Sequence, residues 1–96
     1  IKALLDQTKI SLSNVAFIEL MEAYAAQAII CTRLCDLDLD KVNIRGGALS
    51  RGHPIGASGA ILVVRLFNEL IKTPGASGMA AIAAAGGIGS AMMLKS

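Results

Sequence analysis

The sequence predicts an α/β fold: a sheet with mixed and mostly parallel strands, and helices on both of its faces. Three observations carry this. Short apolar runs of strand type alternate with longer helical runs along the chain. Hydrophobic residues make up 54% of the chain and charged residues 17%, against roughly 25% charged in an average domain. The helical runs are apolar at nearly every angle, as expected of elements covered on both sides.

Each element follows in order. Ile1, Leu4 and Leu5 fall at helical spacing, and Ser11 to Asn14 interrupt that pattern. "VAFIEL", residues 15–20, is a short apolar run fit for a buried strand, and "EAYAAQAIICTRLC", residues 22–35, continues as a helix. "DLDLD" is a polar loop, and "KVNI", residues 41–44, reads as a second strand closed by Gly46 and Gly47. A glycine-rich loop then leads to a long helix from about Ile55 to Lys72, stopped by Thr73, Pro74 and Gly75. The tail, "GMAAIAAA" and "GSAMMLK", forms two strands joined at "GGIG". The expected order is α, β, α, β, α, β, β.

Composition excludes several classes of function. The net charge is +2, the basic residues are scattered, and one tyrosine is present with no tryptophan. No nucleic-acid surface built from stacking and basic clusters is expected. Cys31 and Cys35 lie one helical turn apart with no second ligand pair nearby, which points to buried reduced thiols and to no metal. Pro74 to Leu94 carries no charge and is long enough to span a bilayer. Its alanine and glycine content and its Gly86-Gly87 pair favour buried strands instead, so no membrane is expected. With no signal peptide in view, the expectation is a cytoplasmic protein. A domain this small that is this apolar needs cover from elsewhere, so we read residues 1–96 as one incomplete domain of a longer protein.

The only histidine, His53, stands between Gly52 and Pro54 in that glycine-rich loop. Gly52, Gly56 and Gly59 do not have dinucleotide-fingerprint spacing, and the Gly-Lys-Ser/Thr of a phosphate loop is absent. Glycines here let the backbone approach a partner closely ahead of a helix N-terminus with free amides. A neutral imidazole at this place can take a proton from a nucleophile or donate to a developing oxyanion. A structural histidine bonded to nearby backbone is the alternative.

"GGALSRGHPIGASGA", residues 46–60, resembles the GGAxxxGHPxGxSGA signature of the thiolase family, the acetyl-CoA acetyltransferases and 3-ketoacyl-CoA thiolases. "SLSNVAFIELMEAYAAQA" is similar to the family's strand followed by NEAFAAQA, and "GMAAIAAAGGIGSAMM" to its terminal hairpin with C-x-G-G-G. The resemblance implies a thiolase-like fold, five layers αβαβα in two similar halves, of which this is most of the C-terminal half. It implies a coenzyme A thioester as substrate, no covalently bound cofactor, a missing N-terminal domain, and a homodimer or homotetramer.

Carried over by motif, His53 matches the catalytic histidine of GHP, and the nucleophilic cysteine belongs to the other half. Met21 stands at the asparagine of NEAF, which holds an oxyanion-hole water. Ala83 stands at the second, proton-moving cysteine. Ala85 occupies the place of the oxyanion-hole glycine, where its backbone amide can still donate, and Gly86 with Gly87 keeps the rest of that loop. The resemblance therefore implies an acyltransferase impaired in C–C bond chemistry and inactive as these residues alone. The alternative is a non-catalytic subunit of the same fold that binds acyl-CoA or scaffolds a partner.

Overall fold

The computed structural model describes residues 1–96. Four α-helices, α1 (Lys2–Thr8), α2 (Ala25–Leu34), α3 (Ala48–Arg51) and α4 (Ser58–Leu70), and three strands, β1 (Val15–Leu20), β2 (Ser77–Ala84) and β3 (Ile88–Lys95), are joined by loops that include two single-turn 3-10 helices, Leu12–Asn14 and Leu39–Lys41. The sheet order is β1-β2-β3; β1 runs parallel to β2, and β2 antiparallel to β3. The sheet is thus mixed, with one parallel and one antiparallel pair.

A register shift between Val15 and Phe17 sets which side chains face which way. Alternation alone would put Val15 on the face of Phe17 and Glu19. With the extra residue, Val15 joins Ile18 and Leu20 in one cluster, together with Leu37, Met79 and Ala81. Leu4 and Leu5 of α1 and Cys31 of α2 cover that cluster. The other face carries Met21 and Ala80 against Leu62, Leu66 and Leu70, one stripe of α4 at four-residue spacing. The result is three layers, helix–sheet–helix, with a small core on each side.

Four expectations are revised. The strand at 41–44 reduces to one bridge between Val42 and Ile18. Asn43 has φ +49°, outside the strand region, and its side chain takes over the pairing. Leu20 N–H donates to Asn43 Oδ1 at 2.9 Å and Asn43 Nδ2 donates to Leu20 O at 2.9 Å. One amide side chain therefore does what a neighbouring peptide unit does in a ladder. The long helix starts at Ser58, not Ile55, because Pro54 O accepts from Ala57 N and Ser58 N and closes a turn first. Similarly, the tail turns through Ala85, Gly86 and Gly87, so that Ile88 and Gly89 already belong to β3. Gly86 and Gly87 take φ +84° and +77°, which a β-carbon opposes.

The fourth concerns the two cysteines and follows from how α2 is covered. α2 has no fully buried residue, and Ile29, Ile30 and Leu34 are half or more exposed. On α4, Val64 and Phe67 are likewise exposed opposite the buried stripe. Each helix packs on one side only within these residues. Cys31 and Cys35 are free thiols and half-buried, not buried, because α2 lies at the edge of its core.

Candidate active site

The loop that carries His53 is held at three points before the histidine is reached. Glu19, on β1, is buried beneath α4, and its carboxylate accepts from Arg65 Nε at 2.8 Å. The same guanidinium reaches on to donate through Nη2 to Gly46 O at 2.8 Å. A buried charge is tolerable when paired and fully bonded, and here the pair also fastens the loop to the helix. Glu22, just past β1, is the second anchor: its Oε1 accepts from Asn43 Nδ2 at 2.7 Å and its Oε2 from Leu49 N at 3.0 Å. The third is Arg45, whose Nε donates to Glu69 Oε1 at 3.2 Å on α4. That bond, first among the causes, holds the Glu69 carboxyl below its ordinary value, helped by the nearby charges of Arg45 and Lys72 and opposed by desolvation.

Gly52 then takes φ +95°, a conformation that demands glycine. It turns His53 back over the start of α4, where His53 Nδ1 lies 2.6 Å from Ser58 Oγ. Ser58 is buried at the first turn of α4, and its Oγ is also 3.0 Å from Pro54 O.

The ring is half-buried and opens onto a cleft of about 640 Å³. Its walls come from the β2–β3 hairpin (Ala83, Ala84, Ala85, Ile88), from Tyr24 at the start of α2 and Gln27 within it, and from Ile55. The structure thus brings His53 together with Ala83 and Ala85 in one cleft, and apart from His53 only Tyr24, Gln27 and Ser90 supply polar side-chain groups to the lining. Tyr24, Ile55 and Ile88 expose 73%, 81% and 67% of their surface at this rim, an apolar mouth around one imidazole.

Gly86 lies in the hairpin turn outside the lining. Met21 is elsewhere: it is 2% exposed in the core under α4 and does not line the cleft. Sequence reasoning missed Glu22 and Ser58. The signal for Ser58 was its five-residue distance from His53 across a turn; Glu22 gave none, because its partners are more than twenty residues away. Cys31 and Cys35 line a neighbouring cleft of about 340 Å³ that shares Gln27 and Ala83 with the first. No group of three or more His, Cys, Asp or Glu side chains is placed to hold a metal ion, and no helix is long and apolar enough to cross a membrane.

Comparison with known proteins places this geometry. The family model described as "Thiolase, C-terminal domain" matches residues 1–96. The β-ketoadipyl-CoA thiolase of Acinetobacter baylyi is 43% identical over 98 aligned residues, covering 99% of the chain and 24% of that protein. The acetyl-CoA acetyltransferase of Pseudomonas aeruginosa is 41% identical over 90 residues, covering 94% and 23%. Among solved structures, a thiolase from Ascaris suum in complex with coenzyme A matches with a TM-score of 0.92 at 39% identity, over 98% of the chain and 24% of its own. The peroxisomal 3-ketoacyl-CoA thiolase of Saccharomyces cerevisiae, a five-layered α-β-α-β-α structure of two core domains of identical topology, matches at 0.90 and 35%, over 96% and 26%. The chain spans about a quarter of the length of these relatives.

Proposed function

The chain belongs to the thiolase family, and from this we propose that it is the C-terminal part of an acyltransferase acting on acetyl-CoA or 3-ketoacyl-CoA thioesters. In this reading residues 1–96 are an incomplete C-terminal domain, and an N-terminal domain supplies the cysteine that the thioester acylates. His53 is the working group retained here: it serves that sulfur and the thioester oxygen from its place at the cleft. The observation that carries the reading is the opening of this one imidazole onto an apolar-walled cleft beside Ala83 and Ala85. The amide of Ala85 serves the second oxyanion site, with Gly86 and Gly87 shaping the turn.

Two positions weaken C–C bond chemistry. Ala83 has no proton to move, and loss of a positioned acid–base group costs about 10²–10⁴ in rate. Met21 is apolar and turned into the core, and losing an oxyanion-hole donor costs about 10²–10³. The two do not simply multiply, because both act on one transition state. Acyl transfer needs only nucleophile, base and oxyanion site, so it survives better than condensation.

The same two positions favour a second reading, a non-catalytic subunit that binds acyl-CoA or scaffolds a partner. The proposal further includes a cytoplasmic location and a homodimer or homotetramer; the exposed apolar side chains of α2 and α4 fit cover by the N-terminal domain or by a second copy. Residues 1–96 alone have no turnover in either reading. The test incubates the full polypeptide carrying this domain with acetyl-CoA and follows acyl-enzyme and acetoacetyl-CoA by mass spectrometry. Acyl-enzyme with little acetoacetyl-CoA is expected. Brisk acetoacetyl-CoA formation would overturn the impairment, and CoA binding without any acyl-enzyme would select the second reading.

A further inference from the structure

We infer that Ser58 is a positioning residue that holds His53 as its Nε2–H tautomer, so that the ring presents a hydrogen-bond donor to the cleft. The inference deepens the proposed role of His53 and rests on it only for its functional meaning.

The argument is a count of hydrogens and lone pairs. Ser58 Oγ has one hydrogen and two candidate acceptors, His53 Nδ1 at 2.6 Å and Pro54 O at 3.0 Å. Pro54 O already accepts from Ala57 N at 2.8 Å and from Ser58 N at 2.9 Å, which engages both of its lone pairs. The imidazole nitrogen is the nearer acceptor and has no other partner among the hydrogen bonds of this chain. The hydroxyl hydrogen therefore goes to Nδ1. Ser58 is 3% exposed, so water does not compete for that hydroxyl. A ring nitrogen that accepts carries no proton, and in the neutral imidazole the proton then sits on Nε2.

The consequence is a division of roles. Nε2–H can donate to an anionic oxygen in the cleft as it stands. To take a proton at Nε2, the ring must first lose that hydrogen to solvent and gain one at Nδ1, while the Ser58 hydroxyl turns to the crowded Pro54 carbonyl. The resting site is therefore set to stabilise an oxyanion as it stands, and taking the proton of the nucleophilic thiol requires this change of tautomer first.

In the full polypeptide carrying this domain, with ¹⁵N-labelled histidine confined by segmental labelling to residues 1–96, where His53 is the only histidine, its ring nitrogens are unambiguous in a long-range ¹H–¹⁵N spectrum of the neutral form. The expected spectrum has a pyrrole-type Nε2 and a pyridine-type Nδ1. Their ratio should exceed that of the same chain unfolded in urea by about tenfold, as one net hydrogen bond of ~1.4 kcal/mol gives. Ser58→Ala should return the ratio toward the unfolded value, and Ser58→Thr should restore it. A protonated Nδ1 in the wild type, a ratio equal to that in urea, or a ratio unmoved by Ser58→Ala would overturn the inference. Should Ser58→Ala fail to fold, the wild-type nitrogens still decide. The measurement needs no turnover, so its failure is distinct from failure to form acyl-enzyme.

Discussion

The carboxylate of Glu22 occupies the space in which a side chain at Gly47 would have to stand: a β-carbon there would overlap Glu22 Cδ and both of its oxygens. Glycine at 47 is thus favoured by occupancy, since any side chain there must displace the Glu22 carboxylate, and its φ of −101° is open to any residue. The second glycine of the loop exists to let a buried-side acid reach Asn43 and Leu49.

Gly47→Ala is expected to expel Glu22 and break both of its hydrogen bonds. Bonds to a charged group contribute about 1.5–3 kcal/mol each, shared here with a half-exposed site, so a loss of about 2–4 kcal/mol is expected. Urea unfolding measures it. In a Glu22→Ala background the same change should cost well under half as much, because the obstacle is gone. Equal costs in the two backgrounds would refute the overlap as the cause.

Asn43 gives a second prediction, since it substitutes for a strand. Asn43→Ala leaves the N–H and C=O of buried Leu20 without their partners, at about 1–3 kcal/mol for each group. Asn43→Gly suits the φ of +49° better but restores neither bond. It should therefore remain destabilised by about 2 kcal/mol or more on the same grounds. Recovery of full stability by glycine would show that backbone conformation alone selected asparagine here.

Asn43 also marks where sequence reasoning stops. The run "KVNI" has a strand's composition, and nothing local says that its third residue will turn to positive φ and pair through its side chain. β1 was legible to the residue, because a short run rich in β-branched and aromatic residues after the mostly polar residues 11–14 suits a buried strand. The bulge at its start was not, since a bulge shows only in the partner's register. His53 stood out through its surrounding glycines. Its bond to Ser58 and the anchors Glu19, Glu22 and Arg65 depend on contacts across 5 to 46 positions, which spacing along the chain does not encode. The apolar faces of α2 and α4 were legible as faces that need cover, and within these residues each helix is covered on one side only.

The Arg45–Glu69 pair yields a pH prediction. Because the Glu69 carboxyl is held below its ordinary value, chiefly by the Arg45 hydrogen bond, its contribution to stability is complete above the ordinary glutamate value. It is lost as the pH falls through the lower folded value. Arg45→Met should move the carboxyl titration upward toward the ordinary value. Arg45 is largely exposed, so the effect on unfolding is small, and the ¹³C shift of the Glu69 side-chain carboxyl is the measurement. A titration unchanged by Arg45→Met would remove Arg45 as the cause.

Met21 and Ala83, the two positions proposed to depart from the family's catalytic pattern, are expected to respond in opposite ways when changed toward it. Ala83 is exposed at the end of β2 and lines the cleft beside His53, so Ala83→Cys adds a thiol into open space. Stability should hold within about 0.5 kcal/mol, and the new sulfur should be alkylated by iodoacetamide faster than half-buried Cys31 and Cys35. Met21 packs at 2% exposure against Leu62, Leu66, Leu70 and Ala80. Met21→Asn therefore buries an amide with no partner in that cluster and removes apolar volume, at about 2–5 kcal/mol. In the full polypeptide, Ala83→Cys alone should raise acetoacetyl-CoA formation more than Met21→Asn alone, since only the first change reaches the cleft without disturbing the core. A stable Met21→Asn variant with the larger gain in condensation would mean that position 21 turns toward the cleft in the assembled protein.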